Sequence, residues 1–337
     1  MDLNGDGYND IISGSWPGEI FFFKGEPNQT YAAPEMLKYK DGEIINIGGG
    51  IREERNYLPL EIMGIQAKSM LTIAGNAKFE DTDEGTFVTY NGKRYESTPE
   101  RPIGITGTAS CVQAVDWDDD GDLDIIVGDI GGKVYLLDNE GTAQSYSFGK
   151  EKAIAKVSGK AGPYATDWDG DGDLDLLVGA EDGSVSFCEN KGNRKSPKLA
   201  SPVKIVPPGE STSKVNNEDA PKDVRRGDHS KICVTDWNGD GKPDLLVGDF
   251  TNQKPDLPEP TPEQKAEHEK IRNKMEKLNE QHLEITKKLI DTSKLSPQER
   301  NELKEERDKI RNTIEELNSK LPPEREFHGW VWLFLRK

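Results

Sequence analysis

The chain has 337 residues, 33% hydrophobic and 31% charged, with a formal net charge of −18. That composition describes a folded protein with ample material for a core. Its acidity excludes nucleic acid or an anionic membrane as the main partner and points to cations instead. No apolar run approaches the ~18 residues of a membrane span, so no membrane insertion is expected. The three cysteines, Cys111, Cys188 and Cys233, are an odd number without a CxxC pair, which excludes a disulfide framework and a zinc ribbon. Each lies in an apolar, β-like run and is expected to be buried and unreactive.

In chain order, the first element is an acidic loop, "MDLNGDGYND", over 2–10, which returns at 116–124, 167–175 and 236–244. Each copy reads D-x-[DN]-x-D-G-x-x-D and runs into an apolar stretch ending in glycine. Oxygens at positions 1, 3 and 5 can converge on one hard cation, and glycine at 6 permits the sharp turn. An all-oxygen donor set favours calcium over zinc or copper. The expected side-chain ligands are Asp2, Asn4, Asp6 and Asp10; Asp116, Asp118, Asp120 and Asp124; Asp167, Asp169, Asp171 and Asp175; and Asp236, Asn238, Asp240 and Asp244. Tyr8, Asp122, Asp173 and Lys242 at position 7 are expected to give only carbonyls, since an ammonium aimed at the site would repel the ion. Up to four Ca2+ follow.

After each loop come runs such as "DIIVG" and "DLLVG", short buried strands by composition, followed in the first three copies by a turn and a second strand ("PGEIFFFKG", "GGKVYLLDN", "DGSVSFCEN"). Three of the loops also have a strand upstream ("CVQAVDW", "GPYATDW", "ICVTDW"). One unit is thus strand, acidic loop, strand, turn, strand, with room for a fourth strand. Such units set radially make a β-propeller, whole or partial, of all-β class. These units resemble FG-GAP or VCBS-type repeats, the blades of integrin-α-like propellers. The resemblance implies calcium in a structural role between the first and second strands of a blade, and ligand binding through loops at the opposite end.

Residues 26–105 carry no acidic loop and read as a divergent blade or, preferably, an insertion; Asn91-Gly92 within them signals a two-residue hairpin turn. Propeller blades would occupy 1–260. An antiparallel helical hairpin is expected over 261–321, capped at Thr261-Pro262 and at Ser296, where "SPQE" is a capping box. Its stripes are Ile271, Met275, Leu278, Ile285 and Leu289, and Leu303, Ile310, Ile314, Leu317 and Leu321, a coiled-coil-like pattern. "HGWVWLFLRK" at 327–337 would then close the last blade, making the hairpin an insertion between its second and third strands.

Trp117, Trp168 and Trp237 share one loop position, where Leu3 stands in the first copy, and are expected to pack between blades. Trp16 sits at a turn tip and suits stacking on a ligand. The "RGD" at Arg226–Asp228 is a weak signal for integrin binding, and Asn28-Gln29-Thr30 is a glycosylation sequon. The opening copy lacks the upstream strand of the others and the last unit stops after its third strand, so a boundary drawn through a repeat is expected. The functional expectation is a calcium-stabilised binding or adhesion module, secreted, periplasmic or at the cell surface, recognising protein or carbohydrate, and not an enzyme. Two alternatives stand beside it. One is the propeller part of a polysaccharide lyase or hydrolase, with His229, Asp228 and Arg226 as first candidates. The other is a scaffold that self-associates through the helical hairpin.

Overall fold

The apolar runs after the acidic loops form strands because β-branched and leucine side chains fill both faces of a pleated sheet. In a computed structural model of the chain, residues 1–55, 69–75, 77–82, 85–98, 101–108, 110–210, 225–290 and 295–337 are described. They form many small sheets and two helices, a mostly β protein. The chain divides into two compact units, one of residues 1–49, 107–254 and 325–337, the other of 50–106 and 255–324.

Among the described residues, the first unit holds four antiparallel sheets of three or four strands, beside a two-stranded ribbon of Gly25–Glu26 and Thr30–Tyr31. The first contains Ile11–Gly14, Ile20–Phe23 and Glu35–Met36; the second Cys111–Val115, Asp124–Gly128, Lys133–Leu137 and Lys152–Lys156. The third contains Gly162–Thr166, Asp175–Gly179, Val185–Cys188 and Val203–Val206, and the fourth Asp228–Thr235, Asp244–Gln253 and Glu326–Phe334. In the fourth, Leu245 faces Phe334 and Gly248 faces Val331, so the partner strands are joined by the chain that carries both helices.

Alternation of side chains gives each sheet two apolar faces, and the faces meet in chain order. Ile20 and Phe22 of the first sheet pack on Ile125, Val127 and Leu137 of the second. Ile126, Val134 and Leu136 on its other face meet Leu176, Val178 and Cys188 of the third. Leu177 and Val185 meet Leu245 and Val247 of the fourth, with Trp332 and Phe334 at the margin. Burying one such side chain contributes about 1.5–3 kcal/mol, so these interfaces hold the stack together. The residue at loop position 2 plugs each of them: Leu3 in the first, Trp117 in the second, Trp168 in the third.

Backbone bonds repeat with the same period. Ser110 N–H donates to Ser15 O (3.1 Å), Ala161 to Asp129 (3.0 Å) and Ser230 to Ala180 (3.0 Å). Each brings a first-strand backbone against the glycine ending the preceding sheet's second strand. A Cβ on Gly14, Gly128 or Gly179 would overlap the carbonyl oxygen of Ser110, Ala161 or Ser230. The repeated glycine of the "VG" runs is therefore a packing requirement between sheets.

The second unit contains a sheet of Gly50–Arg55, Ser69–Ala74 and Ile103–Thr106, the last pair parallel, and a meander of Ala77–Thr82, Gly85–Tyr90 and Lys93–Ser97. Asn91 (φ 48°) and Gly92 (φ 72°) make its two-residue turn. Residues 50–106 thus group with the helices and not with the acidic-loop sheets, whereas 26–49 stay with the first sheet, supplying Leu37, Ile45 and Ile47 to its core. Helices α1 (Pro262–Ile290) and α2 (Pro297–Asn318) run antiparallel, since Arg272 near the start of one meets Glu324 beyond the end of the other at 3.7 Å. At Ser296 both halves of the capping box form. The segment 291–294 joining the helices lies outside the described residues.

Candidate metal centres

Each acidic loop joins the first and second strands of its sheet, or, in the first sheet, leads into Ile11–Gly14. Glycine at position 6 adopts the left-handed region in all four copies: Gly7 (φ 89°), Gly121 (94°), Gly172 (95°) and Gly241 (82°). A side chain there would be strained. The carboxylates at positions 1, 3 and 5 organise the turn by accepting backbone N–H bonds. In the third loop Asp167 accepts from Gly170 (2.8 Å) and Gly172 (3.1 Å), Asp169 from Asp171 (3.2 Å), and Asp171 from Asp173 (3.1 Å). The fourth repeats this through Asp236, Asn238 and Asp240, and the first through Asp2, Asn4 and Asp6.

Position 9 behaves differently. Asp10, Asp124, Asp175 and Asp244 are all buried, and each spends both oxygens on backbone donors. Asp124 accepts from Trp117 (3.0 Å) and Asn139 (2.7 Å), and Asp175 from Trp168 (3.1 Å) and Asn190 (2.8 Å). Asp10 takes Leu3 and Gly25, and Asp244 takes Trp237 and Arg336. This residue ties the loop to the end of the sheet's third strand. Sequence reasoning, which made it a ligand only, missed that role; the signal available was its persistence in all four copies while position 7 varies. Asn139 and Asn190, also missed, fold the turn after that strand by accepting from Gly141 and Ser147, and from Gly192 and Lys198. The shared N-x-G was the readable trace.

Among the described residues, the structure gathers three carboxylates in two loops. Ligand oxygens of Asp116, Asp118 and Asp120 lie within 4.8 Å of one another, as do those of Asp167, Asp169 and Asp175. Burial, then repulsion from Asp120 and its neighbours, holds Asp118 above the usual carboxylate range and pushes Asp122 up to about 6. Burial is also the main cause that pushes Asp124 up to about 7 and raises Asp173 and Asp175. Asp122 and Asp173, expected to give only carbonyls, turn inward, and Oδ1 of each is buried without a hydrogen-bond partner. Crowded, under-compensated oxygen donors of this kind fit a hard divalent cation.

The other two loops are softer. Lys24 Nζ lies 3.0 Å from Asp6 and holds that carboxyl below its ordinary range, while the Asn238 amide donates to Asp240 at 3.2 Å. Tyr8 and Lys242 are exposed to solvent.

At the opposite end of the sheets, Trp16 is exposed, with its indole over Gly107. His229, in the left-handed region (φ 64°), contacts Lys160 Nζ and lies 3.8 Å from Glu181, with Phe250 stacked on its ring at 4.7 Å. Burial, then the Lys160 charge, lowers its pKa. Of its sequence-chosen companions, Arg226 is spent on the carbonyls of Pro207 and Gly183, and Asp228 is buried. The RGD tripeptide therefore offers no exposed carboxylate. The cysteine expectation needs correction too: Cys188 is buried, with burial pushing its thiol up to about 11, Cys111 is half-buried and Cys233 is exposed. Trp237 is likewise 62% exposed, unlike Trp117. Cys233 lies in the fourth sheet and Trp237 in its acidic loop, and the outer face of that sheet meets no further sheet among the described residues of its unit.

Sheets stacked face to face, each entered through the same acidic loop, define a β-sheet repeat protein. Over residues 116–247 the repeats are of FG-GAP type: residues 116–178 and 167–247 match the model of the FG-GAP-like repeat. No curated protein matches the chain. Similar solved structures include crystal structures of BBS1N in complex with ARL6DN, soaked with lead and with mercury. Both are 12% identical over 74% of this chain, and 74% and 72% of theirs, with a TM-score of 0.26. No described helix is long and apolar enough to cross a membrane.

Proposed function

We propose that the chain is a calcium-stabilised propeller-type module that binds protein or carbohydrate in a calcium-rich compartment outside the cytoplasm. The reading is carried by the clustered carboxylates of the second and third loops. Asp116, Asp118 and Asp120, and Asp167, Asp169 and Asp175, would hold the ions, with Asp122 and Asp173 beside them. Bound calcium supplies the charge that offsets carboxylate repulsion. The loops themselves position these oxygens through their own N–H groups and fasten each turn to its sheet through the aspartate at position 9. Acidic loops at one end leave the other end for recognition, where Trp16 and the Lys160–Glu181–His229 group lie. The module acts by binding and not by turnover.

Melting the chain with excess calcium and with EGTA tests this. Because the ion binds the folded state alone, EGTA is expected to lower Tm by several degrees. An unchanged Tm, with no metal by elemental analysis, removes the calcium reading. A glycan array run beside a lyase screen separates binding from catalysis.

A further inference from the structure

The residue that follows Ile20–Phe23, Lys133–Leu137 and Val185–Cys188 changes sign between the first sheet and the next two. Lys24, Asp138 and Glu189 are equivalent, because each directly precedes the residue whose N–H the position-9 aspartate holds: Gly25 (2.7 Å), Asn139 (2.7 Å) and Asn190 (2.8 Å). In the second sheet the Asp138 charge helps, after burial and Asp120, to hold Asp118 above its ordinary range. Asp138 and Glu189 pair with Lys152 and Lys191, lysines outside the loops. In the first sheet the position is itself basic. Lys24 Nζ lies 3.0 Å from Asp6, and among the described residues it is the one side-chain cation in ion-pair contact with an expected ligand.

The first loop is also poorer in acid. Position 3 is Asn4 where the second and third loops have Asp118 and Asp169, and position 7 is Tyr8 where they turn Asp122 and Asp173 inward. Asp10 is buried and spent on backbone N–H groups, which leaves Asp2 and Asp6 at the mouth. Among the described residues, the gathering of three carboxylates seen in the second and third loops does not extend to the first. Asp6 is held below its ordinary range, chiefly by its bond to Lys24, the reverse of Asp118.

We infer that Lys24 is a built-in counter-cation of the first loop, which closes on the chain's own ammonium and takes no calcium. The inference rests on the calcium reading of the second and third loops. An ammonium is a compact charge on a flexible stem, enough to offset a pair of carboxylates without further ligands. Calcium asks for about six to eight oxygens, and to enter here it must also displace Lys24. The first loop therefore stays closed as calcium is withdrawn, while the second and third loosen.

Hydrogen exchange of the full chain, read by mass spectrometry in excess calcium and in EGTA, tests it. Exchange across 116–124 and 167–175 is expected to rise severalfold in EGTA, while 2–10 keeps its rate. Lys24→Glu, which gives the first loop the acid its neighbours have, should make 2–10 respond to EGTA. Equilibrium dialysis should then count one more calcium per chain than in the unaltered protein. Lys24→Met, which removes the ammonium and adds no acid, should admit the same extra ion at a severalfold higher calcium concentration. The Lys24 side chain is 52% exposed, so neither change disturbs the fold. Faster exchange at 2–10 when EGTA meets the unaltered chain overturns the inference, and so does a calcium count that neither variant raises. Should 116–124 and 167–175 also ignore EGTA, the proposed function falls, and the count in Lys24→Glu still decides the first loop.

Discussion

Gly179 and Gly248 occupy the same place in two repeats and have different surroundings. Alanine at 179 would drive a methyl into Ser230 O, whereas at 248 it meets nothing closer than 3.7 Å. Gly179→Ala is expected to cost about 1–3 kcal/mol in urea unfolding, as overpacking does, and Gly248→Ala well under that. Asp175 and Asp169 of the third loop make a second contrast. Asp175→Ala leaves the N–H groups of Trp168 and Asn190 without their acceptor, a loss of about 2–3 kcal/mol even in EGTA. Asp169, exposed and clustered with Asp167, is expected to matter to stability mainly when calcium is present, so Asp169→Ala should narrow the difference between calcium and EGTA melts.

Titration of the second loop follows from the same crowding. Asp124 and Asp122 are pushed up to about 7 and 6, above the ~3.9 of an unfolded aspartate. The fold therefore prefers their protonated forms. Their contribution to stability is complete below about 4 and is lost as pH rises through 6 to 7. In metal-free buffer, carboxyl NMR should show Asp122 and Asp124 titrating near 6 and near 7, and calcium should shift both midpoints down because it binds the ionised form.

Among elements, the helices were the most legible. Pro262 and Pro297 sit in the first turns, and Ser296 and Glu299 cap each other reciprocally. Ser296→Ala is expected to lose about 1 kcal/mol, read as a lower melting temperature in far-ultraviolet circular dichroism. The strands after each acidic loop were equally readable, because short apolar runs ending at glycine leave few other structures. Residues 50–106 were not. The Asn91-Gly92 hairpin turn was visible, but nothing local reveals a parallel pairing between residues 69–74 and 103–106 or a grouping with helices that come much later in the chain.

At the scale of the whole molecule, the sequence by itself determined the repeat, the acidic loops with their glycine at position 6, and the placement of helices between two strands of one sheet. These follow from spacing and backbone sterics, which act over a few residues. Only the tertiary structure decided which side chains those repeats bury. Trp117 and Trp237 hold the same place in matching loops, and one is enclosed while the other faces solvent. Asp124 reads as a ligand, and the fold shows that it also ties loop to strand through two backbone N–H groups. Cys188 and Cys233 lie in similar runs and differ in exposure. The physical reason is common to all three: burial and hydrogen-bond satisfaction depend on the neighbouring strand or sheet, and a repeat motif cannot say whether that neighbour is present.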